Sequence, residues 1–323
     1  PIRVASGREA SVALSSYKTR AARLTAFAPA RKDKLLRRNA PRVRGRCVST
    51  DHTDWTHALE RARRYAPFLA RSLDRQPELE ALLAAGDDEA ALTWARQRGE
   101  HEDAGIALRR ERLALATALA IGDLAGAFAL ARVVSELTRF ADRALDTAIR
   151  TAIHERTGQD TAAGFIGLAL GKQGAGELNY SSDIDPIFIY DPGTLPHRAK
   201  DDPGEAAQRY ARRIVKLLSE NTSEGYVQRV DLRLRPASEI SPMAVPRALA
   251  LEHYQSAAMP WERAAFTRAR AAAGDIAAGQ AFLEDIRPFV WRPTPDFGAM
   301  EEIRSLTARI RSPPAGPLHP RPG

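Results

Sequence analysis

One cysteine, Cys47, stands among 323 residues. A single thiol cannot build a disulfide framework or a cysteine-rich zinc site, so a reducing, cytoplasmic setting is expected. Long apolar runs are missing as well. No stretch approaches the ~18 uninterrupted apolar residues of a membrane-spanning helix, so no membrane partner is expected. The N-terminus is arginine-rich and lacks the apolar core of ~7–15 residues that marks a secretory signal. Acidic residues are scarce in residues 1–50, which hold 13 of the 48 Lys and Arg but only 2 of the 40 Asp and Glu. The formal charge of +8 therefore resides in this leading segment, and the rest of the chain is slightly acidic. Nucleic-acid domains cluster basic charge on a folded face, so nucleic acid is not an expected partner. The run through Arg31, Lys32, Lys34, Arg37, Arg38, Arg42, Arg44 and Arg46 reads as a solvated, disordered extension, with a polyanion-binding arm as the alternative. No internal repeat is visible.

What is present is an ordinary globular composition, 44% hydrophobic and 27% charged. At ~100–200 residues per domain the length predicts about two domains. The chain starts at Pro1, which reads as a processed or partial sequence. Helical spacing begins near Asp51 with Trp55, Leu59 and Ala62. The clearest stripe is Val134, Leu137, Ala141, Leu145, Ala148 and Ala152. Asp123 is expected to cap that helix, Gly158 to end it, and Gly122 to separate it from a preceding helix over 111–121. Dense apolar runs at 164–170 and 184–190, each bounded by turn residues, read as paired strands. Pro186 argues for an edge position or a bulge in the second. Residues 203–220 return to helical spacing. Residues 227–234 then alternate, with Val230, Leu232 and Leu234 on one side and Arg229, Asp231, Arg233 and Arg235 on the other, which predicts a third strand over 228–235. Residues 246–311 read as helical, with Asp275 capping a helix and a stripe of Phe297, Met300, Ile303, Thr307 and Ile310. Five prolines in residues 312–323 stop that helix. The expected organisation is a basic extension (1–50), a helical segment (51–158), a strand-bearing core (159–245), a second helical segment (246–311) and a proline-rich disordered tail (312–323).

The chemistry concentrates in residues 171–185. Gly171, Gly174 and Gly176 precede Ser181 and Ser182, and then come Asp183 and Asp185. Two carboxylates spaced by two residues on a strand share one face and suit a hard divalent cation such as Mg²⁺. Glycines ahead of them let backbone approach a phosphate. Asp231 adds a third carboxylate from the later strand. Three such groups suit a two-metal site for in-line phosphoryl displacement, with metals about 3.5–4 Å apart. Each piece alone is weak, since an isolated carboxylate pair is more often a solvated one and Asp231 alone could simply pair with Arg233. The combination follows the logic of the polymerase-β-type nucleotidyltransferases.

With residues 171–190, the run from Arg229 to Pro236, the block Trp261, Glu262 and Arg263, and the segment from Ala269 to Asp275, the chain resembles the glutamine synthetase adenylyltransferase/adenylyl-removing enzyme family over roughly residues 104–311. The resemblance implies an α+β fold, a small mixed sheet of the nucleotidyltransferase type flanked by helical segments. That family has two nucleotidyltransferase units, and this chain resembles the N-terminal, adenylyl-removing one. The implied reaction is phosphorolysis of an AMP-tyrosine bond on glutamine synthetase, giving ADP and regulating nitrogen assimilation. By the same resemblance Asp183, Asp185 and Asp231 hold Mg²⁺ or Mn²⁺ and are catalytic. Gly171, Lys172, Ser181 and Ser182 line the phosphates, and Arg233 and Arg235 bind the attacking phosphate or the AMP phosphate. The implied partners are glutamine synthetase, the PII signal protein, nucleotide and phosphate. Glu262, Arg263 and Arg270 fit an ion-pair network at least as well as substrate contact, and Trp261 is expected in the core. Two alternatives stand beside this reading: a truncated, inactive or regulatory fragment that binds glutamine synthetase, and a generic nucleotidyltransferase.

Overall fold

The computed structural model describes residues 54–100, 102–291, 304, 305 and 308. The basic extension at 1–50, the stripe from Phe297 to Ile310 and the tail at 312–323 lie outside the described residues. The helices and strands from Trp55 to Val290 belong to one compact unit, Ser49–Trp291.

Short polar side chains start the helices. The Asp54 carboxylate accepts the His57 amide at 2.9 Å and caps α1 (Trp55–Tyr65). Pro67 and Pro77 occupy first turns, where no amide partner is needed, in α2 (Pro67–Asp74) and α3 (Pro77–Ala84). Asp87 caps α4 (Asp88–Gln97), and Asp103 caps α5 (Ala104–Leu124). Gly122 does not end α5 as expected, and Asp123 is not a cap. Gly122 lies inside the helix because the Phe128 ring packs where a Cβ would stand, with an atom 2.2 Å away. The chain turns at Gly126 instead, before α6 (Leu130–Thr157). Gly158, at φ 73°, ends α6 in the left-handed conformation that glycine adopts freely.

Four strands form one mixed sheet in the order β3-β2-β1-β4. The two apolar runs become β1 (Phe165–Ala169) and β2 (Pro186–Tyr190), antiparallel, with Phe165 opposite Tyr190 and Ala169 opposite Pro186. Between them lies one helical turn, α7 (Gly171–Gly174), and after them comes α8 (Pro203–Ser219). The other strands are β3 (Ala244–Pro246), parallel to β2, and β4 (Arg270–Gly274), antiparallel to β1. Pro186 sits in an interior strand, not at an edge. It is the first residue of β2, and β3 pairs only from Phe188 onward, so its missing amide leaves no gap in the ladder.

The strand expected over 228–235 does not form. Only Val230 bridges, to Ile184, and the chain then turns through residues 233–240. Arg235 explains the departure. Its guanidinium donates to the carbonyl oxygens of Leu232, Ser238, Ser241 and Pro242 at 2.7–3.3 Å, winding the loop around one side chain. The segment 246–311 is not wholly helical either. β4 consists of Arg270, three alanines and Gly274, with no β-branched residue to signal a strand. Gly274 permits it: at φ 75° it turns the chain where a Cβ would meet the Phe165 carbonyl oxygen at 2.1 Å. The helices α9 (Arg247–Ser256), α10 (Pro260–Phe266), α11 (Ile276–Asp285) and α12 (Arg287–Val290) complete the unit. Asp275 caps α11 as expected, its carboxylate accepting the Ala278 amide at 3.0 Å.

Alternation along the strands sorts side chains into two cores. Phe165, Phe188 and Tyr190 join Ala141, Leu145, Tyr210 and Ile214 from α6 and α8. Ile166, Leu168, Ile187 and Ile189 join Tyr254, Phe266, Phe282 and Phe289 on the opposite side. With both faces covered, β1 and β2 are buried at every position, which is why they read as continuous apolar runs. Trp261 is half-buried and not a core residue. One buried cation locks the helical layer to the rest. Arg109 on α5, 5% exposed, donates to the carbonyls of Gly105, Leu217, Glu220 and Gly225 at 2.7–3.1 Å, clamping the end of α8 and the turn beyond it. Among the described residues no helix is long and apolar enough to cross a membrane.

Candidate active site

The site is assembled where β1 ends and β2 begins. α7 follows β1 directly, and its first residue, Gly171, takes φ 58°. Its bare Cα faces Asp185: a Cβ there would lie 2.8 Å from Asp185 Oδ2. The turn is held from behind. Gln173 Nε2 and Arg270 each donate to Asp142 Oδ1 at 2.9 Å, and Arg270 also donates to the Gln173 carbonyl at 3.0 Å. Arg270 thus braces the glycine turn against α6. Lys172 Nζ donates to Ser182 Oγ at 3.3 Å, and Ser182 Oγ donates to Asn179 Oδ1 at 2.8 Å, closing the loop that leads into the carboxylates.

A two-bond seam then brings distant segments together. Ile184 N donates to the Arg229 carbonyl at 3.0 Å, and Asp231 N donates to the Ile184 carbonyl at 2.9 Å. Ile184 is fully buried and Val230 packs against the same core. Their extended neighbours Asp183, Asp185 and Asp231 therefore project to the other side. Asp185 is 4% exposed. The seam replaces the strand expected over 228–235, yet it still sets Asp231 beside the pair.

Two guanidiniums lie on these carboxylates. Arg229 Nε donates to Asp183 Oδ1 at 2.6 Å, and a terminal nitrogen donates to the Ser181 carbonyl at 2.5 Å. Arg229 also donates to the Tyr226 hydroxyl at 3.3 Å, as Arg112 does at 3.2 Å, and the Arg112 guanidinium lies 4.4 Å from the centre of the Tyr226 ring. Burial pulls the Arg112 pKa below its ordinary value. Arg233 Nε donates to both Asp231 oxygens, at 2.9 and 3.0 Å, and a terminal nitrogen pairs with Asp231 Oδ2. The hydrogen bond to Asp231 raises the Arg233 pKa, and against the burial penalty the charges of Asp231, Asp185 and Asp183 add to the rise. All three carboxylates therefore act on one guanidinium.

Most of the expected site residues meet here: Gly171, Lys172, Ser181, Ser182, Asp183, Asp185, Asp231 and Arg233. Arg235 does not join them. With no strand at 231–235 its side chain does not follow Asp231 by parity, and its donors serve its own loop. Glu262 is structural, accepting the Met259 amide at 2.7 Å and pairing with His253 at 2.8 Å. Tyr226, Arg112 and Asp142 carry no motif spacing and are not anticipated from the sequence. Arg229 is anticipated only as a polar-face neighbour of Asp231.

Among the described residues no three His, Cys, Asp or Glu side chains stand in ready ligating geometry. The donor set nonetheless fits a divalent cation in kind. Three carboxylates, the hard oxygen ligands such a cation prefers, act together on one positive group, Arg233. Gly171→Ala tests how tightly the turn is fitted to Asp185. The left-handed φ and the short contact to Oδ2 together are expected to cost about 1–3 kcal/mol in urea unfolding and to weaken Mn²⁺ binding by displacing Asp185. Unchanged stability and unchanged Mn²⁺ affinity would refute the fit.

The family model described as Glutamate-ammonia ligase adenylyltransferase matches residues 57–285. The chain belongs to that family. It is 40% identical over 264 residues to the bifunctional glutamine synthetase adenylyltransferase/adenylyl-removing enzyme of Caulobacter vibrioides, covering 78% of this chain and 26% of that protein. The proteins of the same name from Rhizobium meliloti and Xanthobacter autotrophicus are 36% and 37% identical over 274 and 291 residues. Those alignments cover 76% and 87% of this chain but 28% and 29% of the relatives. The chain thus spans between a quarter and a third of their length. The Glutamate-ammonia ligase adenylyltransferase match takes in the whole site, from Asp142 through the glycine turn and seam to Arg270.

Proposed function

We propose that this chain catalyses the adenylyl-removing reaction: inorganic phosphate releases AMP from a tyrosine of glutamine synthetase as ADP. An oxygen of phosphate bonds to the AMP phosphorus, the bond from phosphorus to the tyrosine oxygen breaks, and the tyrosine oxygen takes up a proton. The observation that carries this reading is the seam that sets Asp183, Asp185 and Asp231 side by side with Arg233 in their field. The relatives' name supplies the protein substrate. The removing reaction is preferred to the adding one because a helical layer, α1 to α6, precedes the strand-bearing core, as the resemblance implies for the first unit of the family. An anionic nucleophile also suits a site that carries guanidiniums, since arginine holds phosphate with a fixed, always-charged fork.

Asp183, Asp185 and Asp231 are the residues that would hold Mg²⁺ or Mn²⁺, which when bound would polarise the phosphodiester and screen charge on the transferring group. The chain's own residues do the rest. The turn at Gly171 lets backbone come close to the carboxylates, Lys172 and Ser182 present polar groups at the loop, and the Arg229 bond to the Ser181 carbonyl fixes the loop that carries Asp183. The test supplies adenylylated glutamine synthetase with Mg²⁺ and follows nucleotide release. ADP is expected, in proportion to added phosphate. Release of AMP independent of phosphate would overturn the phosphorolytic reading. No release from a chain shown to bind the metal and glutamine synthetase would instead favour a binding fragment.

A further inference from the structure

The arginines of this chain differ in how firmly they are held. Arg235 donates only to carbonyls of its own loop. Arg229 is tied at three points, to Asp183, the Ser181 carbonyl and the Tyr226 hydroxyl. Arg233 is different. Its guanidinium contacts are to Asp231, two residues away, and its side chain is 50% exposed. The Arg233 amide also donates to Asp231 Oδ1 at 3.0 Å, so the carboxylate stays positioned without the guanidinium. The pair is open to solvent on the Arg233 side and sheltered on the Asp231 side, where the carboxylate is 14% exposed. The arginine, which can swing into water and keep its hydration, is therefore the partner that yields when another cation reaches the carboxylate.

We propose that Arg233 is an exchangeable counter-ion of the acidic seam: it neutralises Asp231 until a divalent cation takes that carboxylate, and the released guanidinium then becomes an anchor for the phosphate nucleophile. This rests on the proposed reading of the three aspartates as the metal site and adds a regulation of that site. Without metal, phosphate meets a guanidinium already committed to a carboxylate. With phosphate bound to Arg233, a cation no longer competes with the arginine. Each ligand therefore strengthens the other, and the enhancement is reciprocal. The arrangement also keeps the three carboxylates from repelling one another while no cation is present.

The experiment is calorimetric titration of the full chain with Mn²⁺, with and without inorganic phosphate, on the parent and on Arg233→Gln, Arg213→Gln and Asp185→Asn. Circular dichroism checks that each is folded. In the parent, phosphate is expected to tighten Mn²⁺ binding about ten-fold, within the usual range of coupling between sites. Arg233→Gln is expected to bind Mn²⁺ at least about five-fold more tightly than the parent without phosphate, the upper worth of an exposed pair, and to lose most of the phosphate enhancement. Arg213→Gln is expected to keep that enhancement, because the Arg213 guanidinium pairs with Glu155 of α6 and not with a carboxylate of the seam. Parent-like Mn²⁺ affinity in Arg233→Gln, or an undiminished phosphate effect in it, overturns the exchange. If those results accompany loss of Mn²⁺ binding in Asp185→Asn, the metal site stands and only the exchange falls. Parent-like Mn²⁺ binding in Asp185→Asn removes the metal site and the exchange together.

Discussion

Asp185→Asn is expected to lower phosphate-dependent ADP release by at least ~10²–10³-fold, the usual effect of removing one positioned charge from a site that stabilises charge in the transition state. The substitution nearly preserves shape, so steric damage does not account for such a loss. Asp185 is also the most sheltered of the three carboxylates, 4% exposed and set against the bare Cα of Gly171. Water cannot readily stand in for a missing ligand there. The melting temperature is expected to change little, because asparagine keeps the shape at this position and Arg233 keeps its pair with Asp231. The measurement pairs turnover at saturating Mg²⁺ with a thermal melt. Near-parent turnover would show that the seam is not the catalytic centre, whereas turnover lost together with the fold would leave Asp185 a structural role.

The second large effect concerns stability. Arg109→Leu is expected to lower unfolding free energy by about 3 kcal/mol, since removing one donor that serves several buried carbonyls costs ~1–3 kcal/mol for each oxygen left without a partner. The four carbonyls that Arg109 serves belong to α5, the end of α8 and the turn at Gly225. Leucine fills part of the same space and offers these oxygens no donor. Against the ~5–15 kcal/mol that domains possess, such a loss is severe. Urea unfolding checks it. Arg109→Lys is expected to recover only part of the loss, since one ammonium cannot span four acceptors in a planar fork. A loss under ~1 kcal/mol in Arg109→Leu, the worth of one ordinary hydrogen bond, would refute the clamp.

How much of this was legible in the sequence depended on whether the signal was local. β1 and β2 announced themselves because burial on both faces leaves an unbroken apolar run. Gly158 and Asp275 announced helix ends because capping is a matter of one or two residues. The carboxylates were visible because several local signals, each weak alone, stand in one order: glycines, serines, Asp183 and Asp185 spaced by two, and then Asp231. β4 was hidden, since a run of alanines carries no strand preference and its pairing is imposed by β1 and the turn at Gly274. The alternation at 228–235 misled because a loop lying between a core and solvent alternates like a strand, and Arg235 decides between them through contacts with residues up to seven positions ahead. Tyr226, Arg112 and Asp142 were invisible because their roles exist only across the tertiary contacts that join α5, α6 and the seam.

The seam at Ile184 and Val230 is two hydrogen bonds long, while the sheet beside it is held by three ladders and two cores. Arg229 adds two side-chain bonds across it, to Asp183 and to the Ser181 carbonyl. The placement of Asp231 therefore hangs on fewer bonds than the sheet, and segments held by fewer bonds open at lower free energy. Faster amide exchange at Ile184 and Asp231 than along β1 and β2 is the expected sign, read by hydrogen exchange.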